Sequence, residues 1–357
     1  MDHHTRAKHE ILENYLKAWF PILATTSGRI IYLDGFAGPG IYEGGEEGSP
    51  LIALRTAIEH ILKPRFKAEI RFVFIERDLG RVSVLRTVLD EHFRELPSNI
   101  SYEILDREFA PTLSSVLDNI ENMGAKLAPT FAFLDPFGFS GLPMDIIGRM
   151  LNYDRCEVLI TFMSGFVNRF TDELREPALD ELFATDEWRE IRELEDSEAR
   201  RRFLIDLYKK QLGNVGGATY VRNFEMIGKH NQPIYHLVYG TKHWKGLEAM
   251  KEAMWRVDRR GTYTFSDITD VNQKFLIDYS DEKHWLQQAA HVVFNEFKGQ
   301  AKTVEEVHKF VVTETPYIFR KSILKHLEKM EIPKIVDVSG RRRRFTYPKG
   351  CYIRFLD

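Results

Sequence analysis

The chain has 357 residues, is 43% hydrophobic and carries a formal net charge of −3, figures that point to a globular protein with room for two or three domains. No apolar run approaches the roughly 18 residues needed to span a bilayer, and charge interrupts the opening stretch MDHHTRAKHEILENYL, so neither a membrane span nor a signal peptide is expected. The two cysteines, Cys156 and Cys351, have no metal-ligand spacing, which argues against a disulfide framework and a structural zinc site and predicts reduced thiols in the cytoplasm.

In chain order, Ile11, Leu12, Tyr15, Leu16 and Trp19 recur at helical spacing and predict an amphipathic helix over 7–24, with Pro21 near its end. Five apolar runs of strand length follow, near 30–34, 70–75, 100–105, 131–134 and 157–163. Helix-like segments alternate with them at 50–62, 79–95, 109–122 and 143–151. This rhythm predicts an α/β fold, a Rossmann-like parallel sheet with right-handed crossovers. Ser49-Pro50 reads as a hydroxyl cap followed by proline at the first helical position. After the fifth strand a charged helical insertion is expected, about 165–215, whose run Thr171–Glu198 is rich in acid. It reads as a solvated face, or as a docking surface for a basic protein. Strands over 218–226 and 234–239 and a helix over 244–256 complete a first domain, 1–257.

Residues 258–283 are polar and irregular and read as a linker. From 284 to 357 three helices (285–298, 303–313 and 320–330) precede two strands around Arg341-Arg-Arg-Arg-Phe-Thr-Tyr347, which predicts a winged-helix-like C-terminal domain. From Lys283 onward there are 15 Lys and Arg against 8 Asp and Glu. A basic module on an acidic body points to a polyanionic partner at one end. Arg341, Arg342, Arg343 and Arg344 are the candidate nucleic-acid-binding residues, through counterion release, with Phe345 or Tyr347 as stacking rings. The alternative for the same arginines is a hairpin edge kept soluble by charge.

The most informative stretch is Ile30-Ile-Tyr-Leu-Asp-Gly-Phe-Ala-Gly-Pro-Gly40. A strand stops at Asp34, and Gly35, Gly38 and Gly40 follow in the bend. An open parallel sheet binds ligands beyond the carboxyl ends of its strands, and glycines let backbone approach a ligand closely. The spacing is neither a dinucleotide fingerprint nor a phosphate loop. Glu43, Glu46 and Glu47 in the following excursion would repel phosphate, so a phosphate-free cofactor, S-adenosylmethionine, fits better. Glu76 at the end of the second strand is placed to accept ribose hydroxyls, and Asp106 at the end of the third to meet the adenine amine. The fourth strand delivers Asp135-Pro136, with Phe137 and Phe139 beside it. A carboxylate and a ring so placed suit an exocyclic amine on an extruded base. Asn168 and Arg169, after the fifth strand, fall near the same edge. No metal site is expected.

These motifs, IYLDGFAGPGIYEGGEEGSPLIAL, FIERD and FLDPFGFSGLPM behind TRAKHEILENYLKAW, resemble the three-Cys-motif partner (TcmP) family, which is similar to class I S-adenosylmethionine-dependent methyltransferases. The resemblance implies a companion protein with a three-cysteine motif and radical-SAM character. The motifs are also similar to those of large-subunit ribosomal RNA adenine-N6 methyltransferases. Carried over, the resemblance implies that Asp34, Gly38 and Gly40 line the cofactor's methionine end. It places Lys8 on the cofactor carboxylate, Glu76 on the ribose and Asp135 on the target nitrogen. This chain has Asp-Pro-Phe-Gly where those enzymes have Asp-Pro-Pro-aromatic, so Phe137 stands for the second proline and Gly138 for the ring, with Phe139 one residue further on as its substitute. The function expected is methyl transfer to nucleic acid. A peptide- or protein-modifying methyltransferase and a non-catalytic scaffold of the same fold are the alternatives.

Overall fold

The computed structural model describes residues 2–169, 175–229, 232–258, 262–266, 281–330, 332–337 and 343–357. They fall into two units, one of residues 1–253 with 265–268 and one of residues 254–264 with 269–357. Most of the expected linker, 258–283, lies outside the described residues, but Thr264–Ser266 within it forms a short strand.

The first unit begins with α1 (His3–Ala24) and then alternates β1 (Arg29–Asp34), α2 (Ser49–Ile58), β2 (Glu69–Ile75), α3 (Leu79–His92), β3 (Ile100–Leu105), α4 (Phe109–Asn122), β4 (Thr130–Leu134), α5 (Met144–Leu151) and β5 (Glu157–Phe162). The insertion follows as α6 (Ser164–Arg169), α7 (Glu176–Phe183), a 3-10 turn and α8 (Ser197–Asn214). β6 (Tyr220–Ile227), β7 (Pro233–Thr241) and α9 (Trp244–Val257) come next, then β8 (Thr264–Ser266). The sheet order is β3-β2-β1-β4-β5-β7-β6-β8. β1 to β5 are parallel, and β7 is antiparallel to both β5 and β6. This is the Rossmann-like α/β sheet expected, with the chain reversing direction across β1 and β4.

Side chains of a strand alternate between faces, and both faces here are covered. Phe72 and Phe131 meet Tyr15, Trp19 and Phe20 of α1, with Tyr15 and Phe131 4.7 Å apart, and Tyr32 packs against Phe72. Their neighbours Leu33, Ala132 and Leu134 pack in one core with Phe109 and Leu113 of α4 and Met144 and Ile147 of α5. Burying each such large apolar side chain is worth about 1.5–3 kcal/mol. The insertion joins this second core. Phe183, Trp188 and Tyr208 are fully buried, and Tyr208 stacks on Phe162 at 4.4 Å. Within the acidic run, Glu176 and Asp180 pair with Arg189, and Glu176 with Arg192, so these acids close local contacts.

The second unit holds α10 (Asp281–Phe297), β9 (Ala301–Thr303), α11 (Val304–Glu314), α12 (Lys321–Lys329), β10 (Ile335–Asp337) and β11 (Tyr352–Phe355). Its antiparallel sheet has the order β10-β11-β9. Thr303 and Glu306 form a reciprocal capping box at the start of α11. The core contains Val293, Val307, Leu324, Ile353 and Phe355. Tyr347 belongs to that core too, 2% exposed and donating to Glu328 Oε2 at 2.5 Å. It is a packed residue rather than a stacking platform.

Candidate active site

β1 ends at Asp34, and the chain that follows is stitched to the strands on either side. Gly35 N donates to Phe133 O at 3.0 Å and Ala37 N to Ile75 O at 2.9 Å. Gly38 and Gly40 then adopt left-handed backbone, φ +62° and +77°, the conformation glycine takes without a steric penalty. At Gly40 space is also short, since a Cβ there would lie 2.6 Å from Leu85 Cδ1. The acidic excursion closes on itself through Gly48 N to Gly40 O at 2.7 Å, which delivers α2 back against the loop.

Glu76 follows β2 and is 7% exposed. Its Oε2 accepts from Gly38 N at 3.0 Å and its Oε1 from Asp78 N at 2.9 Å. The carboxylate is thus fixed from two sides, while each oxygen keeps a lone pair for a further donor. Asp78 in turn caps α3 by accepting from Arg81 N.

Asp34 is fully buried. It accepts from Phe36 N at 3.3 Å and sits within 3.5 Å of the Tyr32 hydroxyl, and the Ser49 hydroxyl also hydrogen-bonds it. Burial pushes its carboxyl up to about 7, only partly opposed by those hydrogen bonds. Ser49 therefore does not cap α2. Gly48 holds the cap position with no side-chain bond, and the serine turns inward to Asp34 instead.

At the tip of β4, Asp135 forms a salt bridge and hydrogen bond with Lys8 of α1. Burial opposes charge on Asp135. The Lys8 ammonium still holds its carboxyl below the usual range. His9 is 5% exposed. Burial and the neighbouring Lys8 lower its imidazole to about 4, so it is neutral at physiological pH.

These tips border a cleft of about 420 Å³ lined by Gly35, Glu76, Arg81, Arg107, Pro136 and Phe137, among others. Gly35, Glu76, Pro136 and Phe137 are residues singled out from the sequence. Asp34, Gly38, Gly40, Lys8 and Asp135 are not part of that lining, and the Asp135 side chain is 24% exposed. Asp106 is exposed and outside the lining, its place taken by Arg107 and Glu108. Arg77, Arg81 and Arg107 were not singled out from the sequence, because single arginines after strand ends have no motif. Phe137 is 81% exposed, and the Arg81 guanidinium lies 4.8 Å from its ring centre. Phe139 packs against the core of α4 and α5, so the free ring at this edge is Phe137.

Asn168 and Arg169 fall in α6, and their side chains lie outside the described residues. Arg341 and Arg342 also lie outside them. Arg343 and Arg344 are exposed, with the Arg344 guanidinium 4.8 Å from the Phe345 ring centre.

No protein-family model matches this chain, and no curated protein matches it. Solved structures similar to it include the following three. Protein LPL1258 from Legionella pneumophila has TM-score 0.40 and 10% identity, covering 68% of this chain and 85% of that one. Trm1 from Pyrococcus horikoshii, in complex with S-adenosyl-L-methionine, has TM-score 0.35 and 12% identity, and the match covers 68% of this chain and 57% of Trm1. PKMT2 from Rickettsia typhi, in complex with AdoHcy, has TM-score 0.31 and 11% identity, covering 90% and 73%.

Proposed function

We propose that the chain is an S-adenosylmethionine-dependent methyltransferase acting on an exocyclic amine of a nucleic acid. The observation that carries this reading is Glu76, fixed at the β2 tip by Gly38 N and Asp78 N with lone pairs left for two ribose hydroxyls. The cofactor, when bound, supplies a methyl group on a sulfonium, already activated for in-line displacement. The cleft lining offers such a group a carboxylate for the diol and a glycine-lined approach. Lys8 would hold the carboxylate of the cofactor's amino-acid end. With Lys8 turned to that partner, Asp135 is free to accept a hydrogen bond from the target amine. Pro136 O accepts the second one. Together they draw the nitrogen lone pair out of conjugation and aim it, which is orientation work. Phe137 presents an exposed face for a base, and Arg81 and Arg107 present cations for its phosphates. The second unit, with its basic surface and helix-rich order, acts as a winged-helix-like nucleic-acid module. By resemblance, the companion is a three-Cys-motif protein.

One observation favours a second reading. The carboxylate meant for the target is engaged by Lys8, as it would be in a scaffold that kept the fold without the chemistry. Calorimetry with S-adenosylhomocysteine, followed by tritiated methyl transfer to host RNA, DNA and protein, tests both. Binding weakened at least tenfold by Glu76→Ala, together with label in nucleic acid lost in Asp135→Ala, is the expected result. Unchanged binding in Glu76→Ala overturns the site. Binding without any label supports the scaffold, and label in protein alone replaces the substrate class.

A further inference from the structure

The run Arg343–Thr346 is a four-residue turn, closed by Thr346 N donating to Arg343 O at 3.1 Å. Its third residue, Phe345, has φ +60°. That corner suits glycine or asparagine, because in left-handed backbone a Cβ crowds the following carbonyl. A bulky aromatic there is an outlier, and such strain persists where the surroundings make use of it. Core packing makes no use of it. The core of the second unit holds Tyr347 but not Phe345, whose side chain is half-buried.

What the ring does touch is charge. The Lys329 ammonium, from the last turn of α12, lies 5.2 Å from the ring centre, and the Arg344 guanidinium lies 4.8 Å from it. Both residues are exposed, and neither pairs with a carboxylate among the described residues. The acid next to Lys329 in sequence, Glu328, is buried and accepts from the Tyr347 hydroxyl instead. A guanidinium resting on a ring keeps its N–H fork free at the edge, where it matches the oxygens of a phosphate. An ammonium adds a point charge with three donors. Two cations from different elements therefore converge on one strained ring, with no counter-charge of their own.

We propose that Lys329 and Arg344, gathered by the Phe345 ring, clamp a phosphodiester group of a nucleic-acid strand. The clamp rests on the nucleic-acid reading of the second unit and names where that unit grips the backbone. Phe345 is a positioning residue, since it touches the two cations and they touch the phosphate.

Fluorescence anisotropy of a labelled twelve-residue single-stranded RNA with the full chain tests this, alongside thermal unfolding of each variant. Lys329→Gln and Arg344→Gln are each expected to weaken binding at least threefold. Phe345→Gly removes the ring and the strain together. It is expected to keep or raise the unfolding temperature and still weaken binding at least threefold, an opposition that a packing role does not produce. Phe345→Tyr is expected to bind as the wild type does. Lys329→Gln is expected to weaken binding far less in a Phe345→Gly background than in the wild type. Wild-type affinity or a lowered unfolding temperature in Phe345→Gly overturns the clamp and leaves the nucleic-acid reading standing. So do equal losses from Lys329→Gln in both backgrounds. No binding of the RNA by the wild type overturns both.

Discussion

Asp34 is a buried acid whose environment favours the proton. Folded, its carboxyl keeps the proton up to about pH 7; unfolded, it loses it near the ordinary 3.8. Between those values the folded chain binds more proton than the unfolded one, so this group's contribution is fully present below about pH 4 and is lost as pH rises toward 7. Three pH units correspond to about 4 kcal/mol. Asp34→Asn cannot titrate. Denaturant unfolding at pH 4.5 and 7.5 should therefore show wild type losing about 2–4 kcal/mol more than Asp34→Asn across the interval. Parallel loss in both proteins would mean that Asp34 is ionised throughout. His9 slopes the other way, since its folded value near 4 lies below the unfolded 6.5 and its contribution is lost as pH falls. The comparison with Asp34→Asn cancels it. The resemblance placed Asp34 at the cofactor's methionine end. That it is fully buried and bonded by Ser49 and Phe36 depends on how α2 returns, which no local pattern encodes.

At the scale of elements, the glycine loop separates two kinds of constraint. Gly38 needs left-handed backbone but has open space around its missing Cβ, so Gly38→Ala should cost about 1 kcal/mol, the conformational term alone. Gly40 needs the same backbone and also faces Leu85 and Leu51 across 2.6 and 3.0 Å. Gly40→Ala should cost about 2–4 kcal/mol, because overpacking adds to strain, and should shift the loop enough to weaken S-adenosylhomocysteine binding. Thermal unfolding and calorimetry on both variants check this. Equal effects would place the constraint in the backbone alone. The elements themselves were legible where a buried period was long. β1 to β5 and α4 stand within a residue or so of the apolar runs that announced them. The three-residue strands β8 and β9 escaped notice because so short a segment has no period. Their pairing comes from partners, β11 in the case of β9. The Lys8–Asp135 pair was equally hidden. Its members are 127 residues apart, and the resemblance assigned them separate partners.

At the scale of the molecule, charge is unevenly distributed, and α12 shows how. Lys321, Lys325 and Lys329 are all exposed, and their four-residue spacing sets them on one face of the helix. Ile323, Leu324 and Leu327 fill the other side. Arg320 occupies the cap position without making a capping bond, and no acid lies in the first turn. A lysine at the positive end of a helix costs a few tenths of a kcal/mol or more, so stability does not account for Lys321. Under the proposed nucleic-acid reading, counterion release does. Each phosphate neutralised contributes about 0.7 to the salt slope on a single strand. Replacing all three lysines by glutamine in the full chain should flatten the log–log salt dependence of single-stranded RNA binding by about 2. Thermal stability should change little, since none of the three is buried. An unchanged slope would move the nucleic-acid contact to Arg343 and Arg344, which lie outside the strands β10 and β11, or to the mouth of the cleft, which Arg81, Arg107 and Phe137 line.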